Sequence, residues 1–145
     1  MLWLSLRSGF YGTLPLIIAM LFGLRPSTGM MLVPVIACLA SLGLSASGIV
    51  IATVAKNADG FGHTTSLVLS PLFLSAGIFV PVTKLPSIVQ GLAQANPLYH
   101  CVQLVRDVSL TGIRSLDILH TAALIWFAVG MWLIATRRLH DVLID

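Results

Sequence analysis

Apolar residues run along this chain in long, nearly unbroken blocks, and the polar positions collect where those blocks end. Four blocks approach the roughly 20 apolar residues that a helix needs to cross a hydrocarbon core of about 30 Å. They are Ser8–Leu24, Met30–Ala55, Thr65–Val82 and Ile118–Thr136, and each predicts a membrane-spanning helix. The first reaches full length only if Met1–Leu6 joins it and Arg7 snorkels toward the headgroups; it also carries Pro15. A signal peptide is the competing reading of this block. It is disfavoured because no basic residue precedes Arg7 and no small-residue cleavage pattern follows Leu24.

The pattern changes between the third and fourth blocks. Ser70-Pro71 and Val80-Pro81 each remove a backbone donor and Gly77 lies between them, so the third helix is expected to kink or end near Pro81. Lys84 and Pro86 mark the membrane surface. Beyond them Leu85, Ile88, Val89 and Leu92 recur at helical spacing opposite Ser87, Gln90 and Gln94. That helix is expected to stop before Asn96-Pro97, since a residue preceding proline is pushed out of the helical region. A second helix follows, with Leu98, Cys101, Val102, Val105 and Val108 on one face and His100, Gln103, Arg106 and Asp107 on the other. Gly112 is its expected stop, and Ser115 with Asp117 the expected cap of the last span. Both helices are too short and too polar on one side to cross a bilayer, which predicts an interfacial pair or a re-entrant hairpin. The expected fold is an all-α integral membrane protein, one domain over residues 1–145. It has four spans and two short amphipathic re-entrant helices between the last two.

Composition strengthens this reading. Of 145 residues, 57% are hydrophobic and 9% charged, and the mean hydropathy is +0.99. Such a chain has too little polar surface for water, so lipid is its solvent. Charge orients it only weakly: with the C-terminus inside, Arg7, Lys56, Arg137 and Arg138 are cytoplasmic, and Arg25, Lys84, Arg106 and Arg114 are not. Arg137 and Arg138 abut a span and break the tie in favour of a cytoplasmic C-terminus.

The second block carries a packing pattern. Ala37, Ser41, Ser45, Gly48, Ala52 and Ala55 place small residues on one helical face. In lipid such a face lets another helix approach closely and points to a bundle or a dimer.

The chemistry is sparse. No Gly-x-x-x-x-Gly-Lys-Ser/Thr loop is present to cradle ATP phosphates. The middles of the four blocks carry no Asp, Glu, Lys or Arg, which disfavours a proton-relay transporter. Cys38 and Cys101 read as small apolar residues. His63, His100, His120 and His140 fall at intervals that suit no common metal site. His100, Arg106 and Asp107 form the one polar cluster a membrane enzyme could use, and a solvated helix face explains it more simply. Trp3, Tyr99 and Trp132 suit interface anchors, whereas Trp126 lies mid-span and reads as packing. The net charge of +3 is scattered, with no basic aromatic patch for nucleic acid.

The ordered set Pro71, Leu74, Ser75, Ala76, Gly77, Phe79 and Pro81, then Leu85-Pro86, Asn96-Pro97-Leu98 and Val105-Arg106, resembles the signature region of type-2 ABC exporter permeases. It is similar in particular to the branch with anthracycline drug-resistance exporters and rhizobial lipo-oligosaccharide exporters. The resemblance implies that the chain corresponds to the C-terminal four spans of a six-span permease domain. The family's N-terminal interfacial helix, first two spans and ATPase-docking segment have no counterpart here, as a shortened product or a start assigned too far downstream would produce. It also implies a plasma-membrane protein with a cytoplasmic C-terminus, external re-entrant helices, a second permease domain as homo- or heterodimer partner, and a separate ABC ATPase that binds ATP and magnesium. The chain itself is then a transport subunit with no cofactor of its own. The Pro71–Pro81 segment would line the path or the dimer contact, and the helices around Asn96-Pro97, with Pro86 and Arg106, would form an outer gate. Export of an amphipathic drug, lipid or glycolipid is the expected role. A non-transporting remnant or accessory subunit comes second, and a lipid-headgroup enzyme third.

Overall fold

The computed structural model describes residues 2–23, 28–55, 58–78, 82–84, 86–110, 112 and 114–144. Arg25, Lys56, Phe79, Pro81 and Leu85, all given roles above, lie outside the described residues. Every regular element within them is helical. In chain order these are α1 (Leu2–Leu21), a 3-10 turn (Thr28–Leu32), α2 (Val33–Val54), α3 (Ala58–Ser75), a second 3-10 turn (Val82–Lys84), α4 (Ser87–Ala95), α5 (Pro97–Leu110) and α6 (Ser115–Ile144). Two stretches among the described residues, Gly29–Val54 and Ser115–His140, are long and apolar enough to cross a membrane. They cover the second expected span as far as Val54 and all of the fourth. The first block lies in α1 as far as Leu21; the helix runs on from Leu2 without a break and holds Pro15 inside it.

The third block does not form one helix. α3 starts at Ala58 and stops at Ser75, earlier than the expected end near Pro81. The cause is Gly77, whose φ of +76° puts the backbone in the left-handed region that ends helices and that side chains with a Cβ avoid.

The distribution of side chains is inside-out relative to a water-soluble protein. Buried positions are mostly small, with Ala40, Ala46, Ala76, Ala93, Ala128 and Ala135 prominent among them. Large apolar residues such as Trp3, Phe10, Leu67, Leu74 and Trp126 face outward. Small residues let helices approach closely, and an apolar exterior suits hydrocarbon. Trp126, read above as packing, is 81% exposed: the position it would fill beside α2 is taken by its neighbours Phe127 and Ala128.

α2 is the central helix and packs most extensively on α6 and α1. Against α6 it presents Gly43, where an added Cβ would sit 2.5 Å from Phe127 Cδ1 and 3.3 Å from Ala128 Cα. Against α1 it presents Ala37 and Cys38, opposite Gly12 and Gly9. A small hydrophobic core forms where α2, α5 and α6 meet, from Ala40, Leu104 (2% exposed) and Leu124 (1% exposed), ringed by Ile36, Leu39 and Cys101. The buried apolar residues of α5 are therefore Leu104 and Val108, with the half-buried Cys101 packed against the core. Leu104 adds to the expected apolar face, whose Leu98, Val102 and Val105 are half-buried, because α2 and α6 close on this helix from two sides. On α4, Ile88 and Leu92 of the expected face are exposed and Ala93 is buried, so the small residue packs inward while Val89 is half-buried.

Candidate functional site

The α4–α5 hairpin and its attachment to α3 gather most of the described signature positions. Asn96 separates the two helices as the chain predicts, with α4 ending at Ala95 and α5 opening on Pro97. Its side chain is buried and fully used. Oδ1 accepts from the Leu98 N–H at 2.9 Å, an N-cap of α5. Nδ2 donates to the Leu72 carbonyl at 2.6 Å and to Ser75 Oγ at 2.9 Å. Ser75 Oγ in turn donates to the Pro71 carbonyl at 2.7 Å. The last carbonyls of a helix lack intrahelical partners, and one asparagine supplies a donor to that end of α3 while starting α5. Arg106, one side of α5 further on, donates from Nη2 to the Gly77 carbonyl at 3.3 Å. Pro71, Gly77, Asn96, Pro97 and Arg106 thus belong to one junction. Pro86 lies apart from it, exposed at the start of α4, where its carbonyl accepts from the Val89 and Gln90 N–H groups.

The small-residue positions of α2 are divided. Ala37 faces α1 at Gly12, and Ser41 Oγ donates to the Cys38 carbonyl at 3.0 Å and approaches the Ser5 carbonyl of α1 at 3.5 Å. Ser45 Oγ donates to its own helix at the Leu42 carbonyl. A Cβ at Gly48 would meet nothing within 4 Å among the described residues, and Ala52 is exposed. Gly43, outside the expected stripe, makes the tightest helix approach on the α6 side.

A cleft of about 440 Å³ opens between α2, α5 and α6, walled by apolar side chains such as Val35, Leu39, Val108 and Ile125. Asp117 lies at its edge and is 5% exposed. One carboxylate oxygen, Oδ2, accepts from the Arg114 backbone N–H at 2.6 Å, reaching back from the first turn as a capping box does. Asp117 therefore caps α6, and Ser115 is already helical. Oδ1 is buried with no hydrogen-bond partner among the described residues.

The expected His100, Arg106 and Asp107 cluster does not converge on one point, because Arg106 turns to α3 while His100 meets α6. His100 Nδ1 lies 2.7 Å from His120 Nδ1, and Tyr99 stands edge-on to both rings. The sequence reading missed this pair, since 20 residues and two helices separate its members. Nearby, burial pushes the Cys101 thiol above its usual range, which keeps it protonated and inert.

A family model described as ABC-2 type transporter matches residues 2–110, from α1 through α5. The chain belongs to the ABC-2 type transporter family. Among its relatives, Nodulation protein J of Sinorhizobium fredii is 30% identical over 129 residues, covering 88% of this chain and 48% of that protein. Nodulation protein J of Bradyrhizobium diazoefficiens is 32% identical over 130 residues, covering 89% and 49%. Inner membrane transport permease YadH of Escherichia coli K12 is 31% identical over 91 residues, covering 62% and 35%. The chain thus spans about half the length of the Nodulation protein J relatives it matches. No solved structure matches it.

Proposed function

We propose that this chain is the membrane-spanning permease component of an ATP-driven exporter that moves an amphipathic drug, lipid or glycolipid out of the cell. The observation that carries the reading is the ABC-2 match across residues 2–110, which ends with α5, the helix that Arg106 and the capping residue Asn96 join to α3. The name transport permease borne by the Escherichia coli relative supports the same direction. In this reading α1, α2, α3 and α6 are the spans and the α4–α5 hairpin is the outer gate. The C-terminus lies in the cytoplasm of a plasma-membrane protein. The outward apolar face of α3, with Leu67 and Leu74, meets a second permease domain. ATP and magnesium act in a separate ATPase, since the chain has no phosphate-binding loop. The apolar cleft with the unpartnered Asp117 oxygen at its edge suits a molecule with both a hydrophobic body and a polar group.

Affinity capture of the tagged chain from its native membrane is expected to bring down an ATPase with a phosphate-binding loop. Inverted vesicles are expected to accumulate a fluorescent amphipathic probe when ATP is added, and to stop when the gene is deleted. If no ATPase is captured and deletion leaves uptake unchanged, the exporter reading falls and an accessory, non-transporting role replaces it.

A further inference from the structure

We propose that His100 and His120 form a two-imidazole chelate for a divalent transition-metal ion, tying the α4–α5 hairpin to α6. The claim goes beyond transport and stands or falls separately from it. The two Nδ1 atoms lie 2.7 Å apart and the ring centroids 5.0 Å apart. Two nitrogens each about 2.05 Å from one ion and at a right angle to each other stand roughly 2.9 Å apart, and at a tetrahedral angle roughly 3.3 Å. The observed spacing is closer to the first value. The spacing therefore fits neighbouring positions of a square-planar or octahedral shell to within a few tenths of an ångström, once each ring turns by roughly 45° to swing its lone pair off the line between the nitrogens, and this favours Cu²⁺ or Ni²⁺ over tetrahedral Zn²⁺.

The outer hydrogen bond also fits. His100 Nε2 lies 2.8 Å from the Gln94 carbonyl, an acceptor only, so Nε2 carries the proton and the Nδ1 lone pair points at His120. A histidine ligand typically donates its distal N–H to such a carbonyl, which fixes both tautomer and ring orientation. In the metal-free pair His120 Nδ1 donates to His100 Nδ1. The ion takes the place of that shared proton, and His120 shifts to its other tautomer, with the proton on Nε2. A neutral pair therefore takes up the ion without releasing a net proton. Tyr99 packs edge-on against both rings. His100 also borders an open cleft of about 420 Å³ that Gln94, Trp126 and Met131 help line, with room for the ion's remaining water ligands.

The test uses the full chain in detergent or nanodiscs, purified with a tag free of histidine. Titration with Ni²⁺ or Cu²⁺ alone is expected to saturate at about one ion per chain. His100→Ala and His120→Ala should each weaken binding at least tenfold, as should His100→Gln, which keeps a polar side chain if the alanine variant folds poorly. His63→Ala and His140→Ala, at exposed positions outside the pair, should leave binding unchanged. The electron paramagnetic resonance spectrum of the Cu²⁺ form should show coupling to two imidazole nitrogens. Wild-type protein without saturable binding, or binding that survives in both the His100 and His120 variants, overturns the proposal. So does a Cu²⁺ spectrum without the two-imidazole signature, which would leave the pair as a proton-sharing link only.

Discussion

Along the α2–α6 seam the helices meet through Gly43 on one side and Phe127 and Ala128 on the other, while the hydroxyls of α2 turn back on their own helix. Ser45, Ser47 and Thr53 donate to the Leu42, Gly43 and Val50 carbonyls. At the junction of α3 with the α4–α5 hairpin the means are reversed. There the contact between helices is sparse, and the side chains of Asn96 and Arg106 bond to Leu72, Ser75 and Gly77. In lipid an apolar surface gains little by facing another apolar surface, so a seam must be held by close fit. A helix end carries orphan carbonyls that hydrocarbon cannot satisfy, so a junction there is held by donors. The first arrangement is rigid and tolerates no added volume. The second leaves α3 and the hairpin joined at a few points, which suits parts that move relative to one another.

The contrast can be broken at three positions. The largest effect is expected at Gly43→Leu, where the new side chain would occupy the space of Phe127. Overpacking of a tight contact costs about 1–3 kcal/mol, and the seam should lie at or above the upper end, read as a fall in the thermal unfolding midpoint of the detergent-solubilised chain. A midpoint unchanged by this variant would mean that the helices are not in contact there. Next comes Asn96→Ala, which removes the cap of α5 and the donors to the end of α3. The cap and the two hydrogen bonds each contribute about 1 kcal/mol. The loss should appear locally, as faster amide exchange at Leu98 and in the last turn of α3, with the exchange of α2 and α6 little altered. Uniform loss of protection across the chain would show instead that the junction holds the whole bundle. The smallest effect, and of opposite sign, is expected at Gly48→Ala. Nothing among the described residues lies within 4 Å of the added methyl, so the helix should gain up to about 1 kcal/mol from the better helix former. A drop in stability at Gly48 would reveal a neighbour on the face left open here.

Local chemistry made several features legible without a structure. The break at Asn96-Pro97 was readable because proline acts on the residue beside it, and the start of α6 because Asp117 serves the turn it belongs to. The long apolar blocks named the solvent. The readings that failed turned on one backbone angle or on a second element. The end of α3 was expected near Pro81, yet Gly77 stops the helix and side chains from 20 or more residues away bond to its end. The apolar face of α5 was misdrawn at Leu104, because helical spacing gives a stripe but not how wide the neighbours make it.

What the sequence determined by itself is the class of solvent, the helical nature of the chain and the points where proline, asparagine and a first-turn carboxylate interrupt it. These are set by bonds within a few residues. Only the tertiary structure decided which small residue is a close contact, Gly43 and not Gly48, and which polar side chains meet. Asn96 found the end of α3, and His100 found His120 across 20 residues of chain. Such pairings depend on how helices cross. Side chains at the same sequence spacing converge or diverge according to a packing angle that no local pattern encodes.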